Sequence, residues 1–238
     1  MDFQLTIIIP LYNEDENLLR LEEELISYLK EASVNVFVLF VNDGSTDSSL
    51  SVIKQISQRN KNFGFISFDQ NYGLSAAIKA GIDHATTPLI GYMDADLQTS
   101  PEDFELLLPF IKDNDLVTGM RVDRQDSKVK KISSRIANHT RRFFTDDGME
   151  DTCCPLKIIK ADYAKKIPMF RGLHRFLPAM VLLQGGKIKQ VSIPHYPRMA
   201  GKAKFNFLNR LVDPFLDCFA YLWMKKNYIN YKINQQNE

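Results

Sequence analysis

Hydrophobic and polar positions in the first half of the chain follow two alternating patterns. Residues 5–9 and 34–41 are apolar runs of strand length, and nearly continuous runs are typical of strands covered on both faces. Between them, apolar residues recur at helical spacing, at Leu18, Leu21, Leu25 and Leu29. The same alternation continues to about residue 120. It predicts strands over 5–9, 34–41, 63–68, 88–93 and 115–119 and helices over 15–30, 46–60, 73–85 and 101–111.

Strands that alternate with helices at this spacing predict an α/β fold, Rossmann-like, with a mostly parallel central sheet and helices on both faces. In such sheets ligands bind beyond the carboxyl ends of the strands. Turn formation would explain any single polar cluster after a strand, but four clusters together favour a ligand site at this edge. The four strand ends read Tyr12-Asn13-Glu14, Asn42-Asp43-Gly44, Asp69-Gln70-Asn71 and Asp94-Ala95-Asp96.

The residue types at this edge limit the kinds of ligand that could bind there. The glycine patterns that bind dinucleotides or bare phosphate groups are absent after the first strand, and carboxylates repel phosphate unless a cation intervenes. Asp94 and Asp96 share a face, because side chains two apart on an extended chain point the same way. Two carboxylates suit Mg²⁺ or Mn²⁺, which complete their coordination with water and substrate phosphates. The pattern therefore predicts a nucleotide diphosphate that a divalent metal bridges to the protein.

Charge is distributed unevenly along a chain whose formal net charge is only +1. Residues 1–120 hold 7 basic and 19 acidic side chains, whereas residues 121–210 hold 20 basic and 7 acidic ones. The basic half favours an anionic partner. Nucleic acid is not expected, because recognised binding motifs are absent and the acidic half would repel a phosphate backbone. The anionic membrane surface, or a lipid phosphate within it, fits better.

Four motifs follow one another along the first half of the chain. They are Ile8-Ile9-Pro10-Leu11-Tyr12-Asn13-Glu14, Val41-Asn42-Asp43-Gly44-Ser45-Thr46-Asp47, Asn71-Tyr72-Gly73, and Met93-Asp94-Ala95-Asp96-Leu97-Gln98 followed by Ser100-Pro101-Glu102. These motifs resemble family 2 glycosyltransferases, in the branch of dolichyl-phosphate mannose synthase and bacterial polyprenyl-phosphate glycosyltransferases, and the resemblance covers residues 5–210 in consistent order. The resemblance implies the A-type glycosyltransferase fold, a UDP- or GDP-sugar donor, a divalent metal, and transfer of a hexose to a polyprenyl phosphate.

The resemblance also implies roles for individual residues, and the reasoning from residue types supports only the carboxylates among them. The residues that would bind the donor are Pro10, Tyr12, Glu14, Asp43, Asn71, Gly73, Asp94 and Lys204. The residues that would bind the metal are Asp94, Asp96 and Gln98, and the two carboxylates are also predicted to be catalytic. The basic residues that would contact the acceptor phosphate are Arg121, Arg135, Arg198 and Lys202.

The nature of the acceptor stays open at this point. A saccharide hydroxyl must lose a proton, and Asp151 is the candidate general base for that reaction. A lipid phosphate is already anionic and needs no base, so Asp151 would then only position groups. His174 and His195 are interpreted either as packed histidines or as catalytic ones. A third possibility is a sensor that binds a nucleotide sugar without transferring it.

The end of the chain suggests contact with a membrane. We expect a catalytic domain over 1–210, with a nucleotide-sugar half (1–120) and an acceptor half (121–210), followed by a C-terminal amphipathic helix and tail over 211–238. Asp213 and Pro214 read as the start of that helix. The helix could pack on the core, or it could lie in the membrane interface. Without a visible leader or spanning segment, the predicted location is peripheral, on the cytoplasmic face of the membrane, and beside a small membrane protein partner.

Overall fold

A computed structural model describes residues 2–122, 142–196 and 212–230, without the side chains of 212–214. Its strands are β1 (Leu5–Leu11), β2 (Val36–Asn42), β3 (Phe63–Ser67), β4 (Leu89–Tyr92), β5 (Leu116–Arg121), β6 (Lys157–Lys160) and β7 (Ile188–Ile193). Within the described residues they form a single sheet in the order β3-β2-β1-β4-β6-β5-β7. Strands from both predicted halves of the chain, 1–120 and 121–210, share this sheet.

The helices follow the predicted alternation with one interruption. The predicted helix over 101–111 is divided into a 3₁₀ turn (Pro101–Asp103), a short α-helix and a second 3₁₀ turn (Leu108–Phe110). Pro109 explains the division, because its ring has no N–H to donate to the preceding turn and clashes with it. The α-helices are α1 (Asp15–Glu31), α2 (Ser49–Arg59), α3 (Leu74–His84), α4 (Phe104–Leu107), α5 (Ala161–Ala164), α6 (Leu177–Leu183) and α7 (Val212–Asn227).

Strand direction brings both halves of the chain to one edge of the sheet. Strands β1 to β4 are mutually parallel where they pair, and β7 is parallel to β5. Strand β6 is antiparallel to both of its neighbours, β4 and β5. It therefore begins at the edge where the other strands end. The predicted mostly parallel sheet is confirmed, and its one reversed strand places Lys157 beside the carboxyl ends of β4 and β5.

The core occupies both faces of the sheet, which confirms the predicted helices on both sides. Strand β1 shows the division, since Leu5, Ile7 and Ile9 belong to one buried cluster and Ile8 belongs to the other. Alternate side chains of a strand point to opposite faces, so a strand buried on both sides reads as a continuous apolar run. The first cluster includes α1, and the second includes α3, α6 and α7.

The C-terminal helix α7 packs against this second cluster through Cys218, Tyr221 and Met224, which are buried. It begins at Val212, so Asp213 and Pro214, which were predicted to start the helix, lie in its first turn. Proline is tolerated there because the first turn does not use its N–H. Among the described residues, no helix is both long enough and apolar enough to span a membrane.

Candidate active site

The loops that follow β1 and β2 are joined to each other by short polar side chains. The Asn13 N–H donates to Ser45 Oγ at 2.9 Å, and Asn13 Oδ1 accepts from the Thr46 N–H at 2.8 Å. The Glu14 N–H donates to Ser49 Oγ at 3.0 Å. Asn13 has a φ of +51°, a conformation that asparagine tolerates better than most residues. These bonds fix the first two loops of the edge relative to each other.

Asp43 joins the loop after β2 to the loop after β3. Its carboxylate accepts from the Tyr72 N–H at 2.7 Å, from the Gly73 N–H at 2.9 Å and from Asn71 Nδ2 at 2.9 Å. Burial raises the pKa of Asp43, and the backbone hydrogen bonds from Tyr72 and Gly73 oppose that shift. Three predicted donor-binding residues, Asp43, Asn71 and Gly73, therefore lie in direct contact.

Gly44 is required at the same junction for two reasons. Its φ is +66°, and a Cβ atom there would overlap the backbone of Gln70 and Asn71. Gly73 also has a positive φ, of +92°, but no atom lies within 4 Å of the position that its Cβ would take. The two glycines therefore have different roles. Gly44 allows two loops to pack closely, whereas Gly73 only allows a backbone conformation with positive φ.

Two neighbouring carboxylates end β4. Tyr92 Oη donates to Asp94 Oδ1 at 2.7 Å, and the Gln98 N–H donates to Asp96 Oδ1 at 3.2 Å. Burial, and then the negative charge of Asp96, raise the pKa of Asp94 to about 6. The hydrogen bond from Tyr92 and the charges of Lys157 and Arg121 oppose the shift. The structure thus brings Asp94 and Asp96 together, with two cations close to Asp94.

The Arg121 and Asp151 side chains form a buried bidentate ion pair. Arg121 Nε donates to Asp151 Oδ2 at 2.7 Å and Nη2 donates to Oδ1 at 2.9 Å. Both side chains are largely buried, at 11% and 7% exposure. Burial disfavours the charge on Arg121, but the hydrogen bond and charge of Asp151 outweigh burial, so the net effect raises the pKa of Arg121. Asp151, the predicted general base, and Arg121, a predicted ligand of the acceptor phosphate, therefore neutralise each other's charge.

Lys157, at the start of β6, is a site residue that sequence reasoning missed. Its side chain is buried, with Nζ donating to the Cys154 carbonyl and lying 5.9 Å from the centre of the Tyr92 ring. Burial lowers the pKa of Lys157. The sequence did not distinguish this lysine from the others in its basic stretch, because its place beside Asp94 depends on the reversed direction of β6.

The remaining residues predicted to bind the donor or the acceptor lie in or after β1, or outside the described part of the chain. Pro10 is buried within β1, opposite Val41 of β2, and Tyr12 follows the end of the same strand. Glu14 Oε2 accepts from Asn17 Nδ2 at 2.7 Å. The predicted residues that lie outside the described part of the chain are Arg135, Arg198, Lys202 and Lys204.

His174 has the environment of a packed histidine. Its Nδ1 lies 2.7 Å from Ser75 Oγ, which also accepts from the Gly172 N–H at 3.0 Å. Burial, with smaller contributions from the charges of Arg175 and Lys157, lowers the pKa of His174 to about 3. The imidazole is therefore neutral at physiological pH.

Within the described residues, no group of three or more His, Cys, Asp or Glu side chains could hold a metal ion. A site with only two carboxylates still fits Mg²⁺ or Mn²⁺ when substrate phosphates supply further oxygens. The repulsion that raises the pKa of Asp94 beside Asp96 is relieved by a cation between them. Asp94 and Asp96 therefore fit a divalent metal that binds together with a phosphate ligand.

Comparison with known proteins gives similarities in sequence and in structure. The chain is 28% identical over 229 residues to a dodecaprenyl-phosphate galacturonate synthase of Rhizobium johnstonii, covering 94% of this chain and 68% of the relative. It superimposes on glucosyl-3-phosphoglycerate synthase of Mycobacterium tuberculosis in complex with Mn²⁺, uridine diphosphate and glucosyl-3-phosphoglycerate (TM-score 0.70, 13% identity, 96% and 81% coverage). It also superimposes on a mannosyltransferase of Pyrobaculum calidifontis in complex with GDP-Man and Mn²⁺ (TM-score 0.65, 15% identity, 93% and 64% coverage).

These solved structures share the mostly parallel sheet with covering helices, which is the A-type glycosyltransferase fold. The family model for glycosyl transferase family 2 matches residues 6–168, more than half of the chain, including β1 to β4 and the Asp94–Asp96 pair. The chain therefore belongs to glycosyl transferase family 2 and is a glycosyltransferase.

Proposed function

We propose that this enzyme transfers a sugar from a nucleotide-sugar donor to a polyprenyl phosphate, with inversion at the anomeric carbon and with a divalent metal. The observation that carries the proposal is the pair Asp94 and Asp96 at the end of β4, beside the cations Arg121 and Lys157. The relative named as a dodecaprenyl-phosphate galacturonate synthase supports the lipid phosphate acceptor. The neighbours in complex with Mn²⁺ and nucleotides support the donor and the metal.

The loops after β1, β2 and β3 are the proposed donor site. An ionised carboxylate has about four lone-pair positions for hydrogen bonds, and Asp43 already accepts three, from Asn71, Tyr72 and Gly73. One position is left for an N–H of the nucleotide base. Asn71 and Gly73 then act by holding Asp43 and its loop. Pro10, Tyr12 and Glu14 line the neighbouring strand end, and Lys204 is proposed to contact the donor phosphates.

Asp94, Asp96 and Gln98 are the residues that would hold the metal. When bound, a divalent cation supplies charge neutralisation for the departing nucleoside diphosphate. The chain itself contributes position, because Tyr92 orients Asp94 and the Gln98 N–H orients Asp96. Asp96 is buried and Asp94 is half-buried, and partial exclusion of water strengthens each electrostatic contact in the site.

The proposed reaction is a direct displacement. An oxygen of the lipid phosphate forms a bond to the anomeric carbon, while the bond from that carbon to the nucleoside diphosphate breaks and the diphosphate leaves with its electrons. The acceptor oxygen is already anionic, so no general base is needed. Asp151 then serves to hold Arg121 at the site, and Arg121, Arg135, Arg198 and Lys202 are proposed to align the acceptor phosphate.

The test is an assay with a panel of UDP- and GDP-sugars, a polyprenyl phosphate, and Mn²⁺ or Mg²⁺. Mass spectrometry of the lipid fraction should show one polyprenyl phosphate sugar. Transfer to water-soluble saccharides but not to the lipid would favour a saccharide hydroxyl acceptor, and the proposal would then be wrong. Tight binding of a nucleotide sugar with no transfer to either acceptor would instead indicate a sensor.

A further inference from the structure

The helix α7 has a second apolar face that the described part of the chain does not cover. Its exposed residues include Phe215 (46%), Leu216 (59%), Phe219 (50%) and Trp223 (69%). Exposed apolar side chains that lie next to one another on a surface mark an interaction site.

The apolar surface continues beyond the helix. The Phe144 ring lies 5.5 Å from the Phe143 ring and 5.5 Å from the Phe219 ring, between ring centres, and it links the two segments. Phe143 is 83% exposed and Ile229, beyond the end of α7, is 82% exposed. We name as the aromatic face the exposed residues Phe143, Phe215, Leu216, Phe219, Trp223 and Ile229.

The opposite side of α7 holds this face in a fixed position. Arg175 Nη1 donates to Asp217 Oδ2 at 3.1 Å. Asp217 packs against Gly172 so closely that a Cβ there would overlap its carboxyl group. With Tyr221 buried and stacked on Phe176, the helix is part of the folded domain. The exposed aromatic residues therefore lie on a helix that is packed against the domain, and they do not belong to an unfolded tail.

Lysines lie at one end of the aromatic face. Lys225 and Lys226 are exposed in the last turn of α7. Lys165 and Lys166 are exposed just before Pro168, which lines an open groove of about 270 Å³ together with Trp223 and Ile229. Apolar residues next to lysines match a bilayer surface, where rings enter the headgroup region and ammonium groups meet lipid phosphates. A symmetric contact with a second copy would instead bring the like charges of two such surfaces together.

We propose that the aromatic face inserts into the interfacial region of an anionic lipid bilayer. The inference rests on the proposed function in one respect, since it places the enzyme on the bilayer that holds a polyprenyl phosphate acceptor. It also gives the orientation of the enzyme, with the outer side of α7 against the lipid.

Trp223 is the only tryptophan in the sequence, so its fluorescence reports on this face directly. The full chain is titrated with vesicles of phosphatidylcholine, with or without phosphatidylglycerol. We expect a blue shift of the emission and quenching by brominated lipid, both stronger with the anionic vesicles. Lys225→Gln and Lys226→Gln should each lower the partition coefficient about fivefold. No shift with either kind of vesicle, or equal binding to both, would overturn the proposal.

Leu216→Glu and Leu19→Glu form a matched pair, because the two leucines are 59% and 60% exposed on different helices. Leu216→Glu should lower vesicle partitioning at least about tenfold, whereas Leu19→Glu should leave it unchanged. Equal effects of the two substitutions would contradict the proposal. So would a dimer, measured by light scattering, that Leu216→Glu dissociates while vesicle partitioning stays unaffected.

Failure of this proposal can be separated from failure of the proposed function. A short-chain, water-soluble polyprenyl phosphate serves as an acceptor that requires no membrane. Transfer to this acceptor, without vesicle binding, would overturn only the proposal that the aromatic face inserts into a bilayer. Vesicle binding through the aromatic face, without transfer to any polyprenyl phosphate, would overturn only the proposed function.

Discussion

The loops after β1, β2 and β3 and the wall formed by β4, β5 and β6 lie at the same edge of the sheet, but they are stabilised differently. The loops are held by backbone groups and short polar side chains, as where Asp43 accepts from two backbone N–H groups and one amide. The wall instead places charged groups close together, with Asp94 beside Asp96 and two cations nearby.

The difference indicates that the loops and the wall have separate roles. A loop whose polar groups are satisfied by the chain itself keeps its shape before any ligand arrives. Burying charges costs stability even when they are paired, so an arrangement like that of Asp94, Arg121, Asp151 and Lys157 is expected where it serves chemistry. Substitutions in the loops should therefore mainly lower stability, and substitutions of the carboxylates after β4 should mainly lower activity.

The largest expected effect is the loss of transfer in Asp96→Asn. The substitution keeps the shape and an acceptor for the Gln98 N–H but removes a charge. Removing a proposed metal contact is expected to lower kcat/KM at least about 10³-fold. The free energy of unfolding, measured with urea, should change by less than about 1 kcal/mol. Normal transfer by the folded variant would contradict the assigned role of the wall.

Asp151→Asn tests whether the wall also contains a structural ion pair. The substitution leaves Arg121 buried without its counter-charge, and we expect a loss of about 3 kcal/mol in the free energy of unfolding. Adding Arg121→Met should restore much of that loss, because the unpaired charge is then removed. The double variant would have low activity through loss of a proposed phosphate contact. A single variant that is fully stable but inactive would favour Asp151 as a general base and a hydroxyl acceptor.

Gly44→Ala and Gly73→Ala test the loops. Both substitutions place a side chain at a positive φ, which costs on the order of 1 kcal/mol. Only Gly44→Ala also drives a Cβ into the backbone of Gln70, so its loss of unfolding free energy should be about 2–4 kcal/mol. Urea unfolding of the two variants measures the difference. Equal losses would mean that the close approach of the loops contributes little.

The remaining prediction concerns the dependence of stability on pH. His174 has a pKa of about 3 in the folded protein, below the value of an unfolded histidine. The unfolded chain therefore binds more protons below about pH 6.5, and the folded state loses stability as the pH falls, at most about 1.4 kcal/mol per unit. His174→Gln should flatten the dependence of the unfolding free energy on pH between about 6.5 and 4. An unchanged slope relative to the wild type would show that His174 is not desolvated.

Much of the first half could be predicted from the sequence, because its signals are local. The apolar runs of β1 and β2 and the spacing of Leu18, Leu21 and Leu25 report on burial directly. The carboxylates at Asp43 and Asp94 were predicted to lie at one edge, since parallel strands end together. The division of the 101–111 helix could also have been predicted, from Pro109.

The wall was less predictable because it depends on long-range pairing. Strand β6 has four residues and pairs with β4 and β5, which are distant in sequence. Its reversed direction brings Lys157 to the site, and no local pattern encodes that direction. The contact of Arg121 with Asp151 likewise joins residues 30 apart, so each was assigned a separate role.

The most direct test of the central claim is calorimetric binding of UDP and GDP, with Mn²⁺ and after chelation, to the wild type and to Asp96→Asn. The account predicts that one nucleotide binds the wild type at least about tenfold more tightly with the metal than without it. It also predicts that Asp96→Asn loses this gain. Equal affinity with and without metal, or an undiminished gain in Asp96→Asn, would contradict a metal bridge between the Asp94–Asp96 pair and the donor diphosphate.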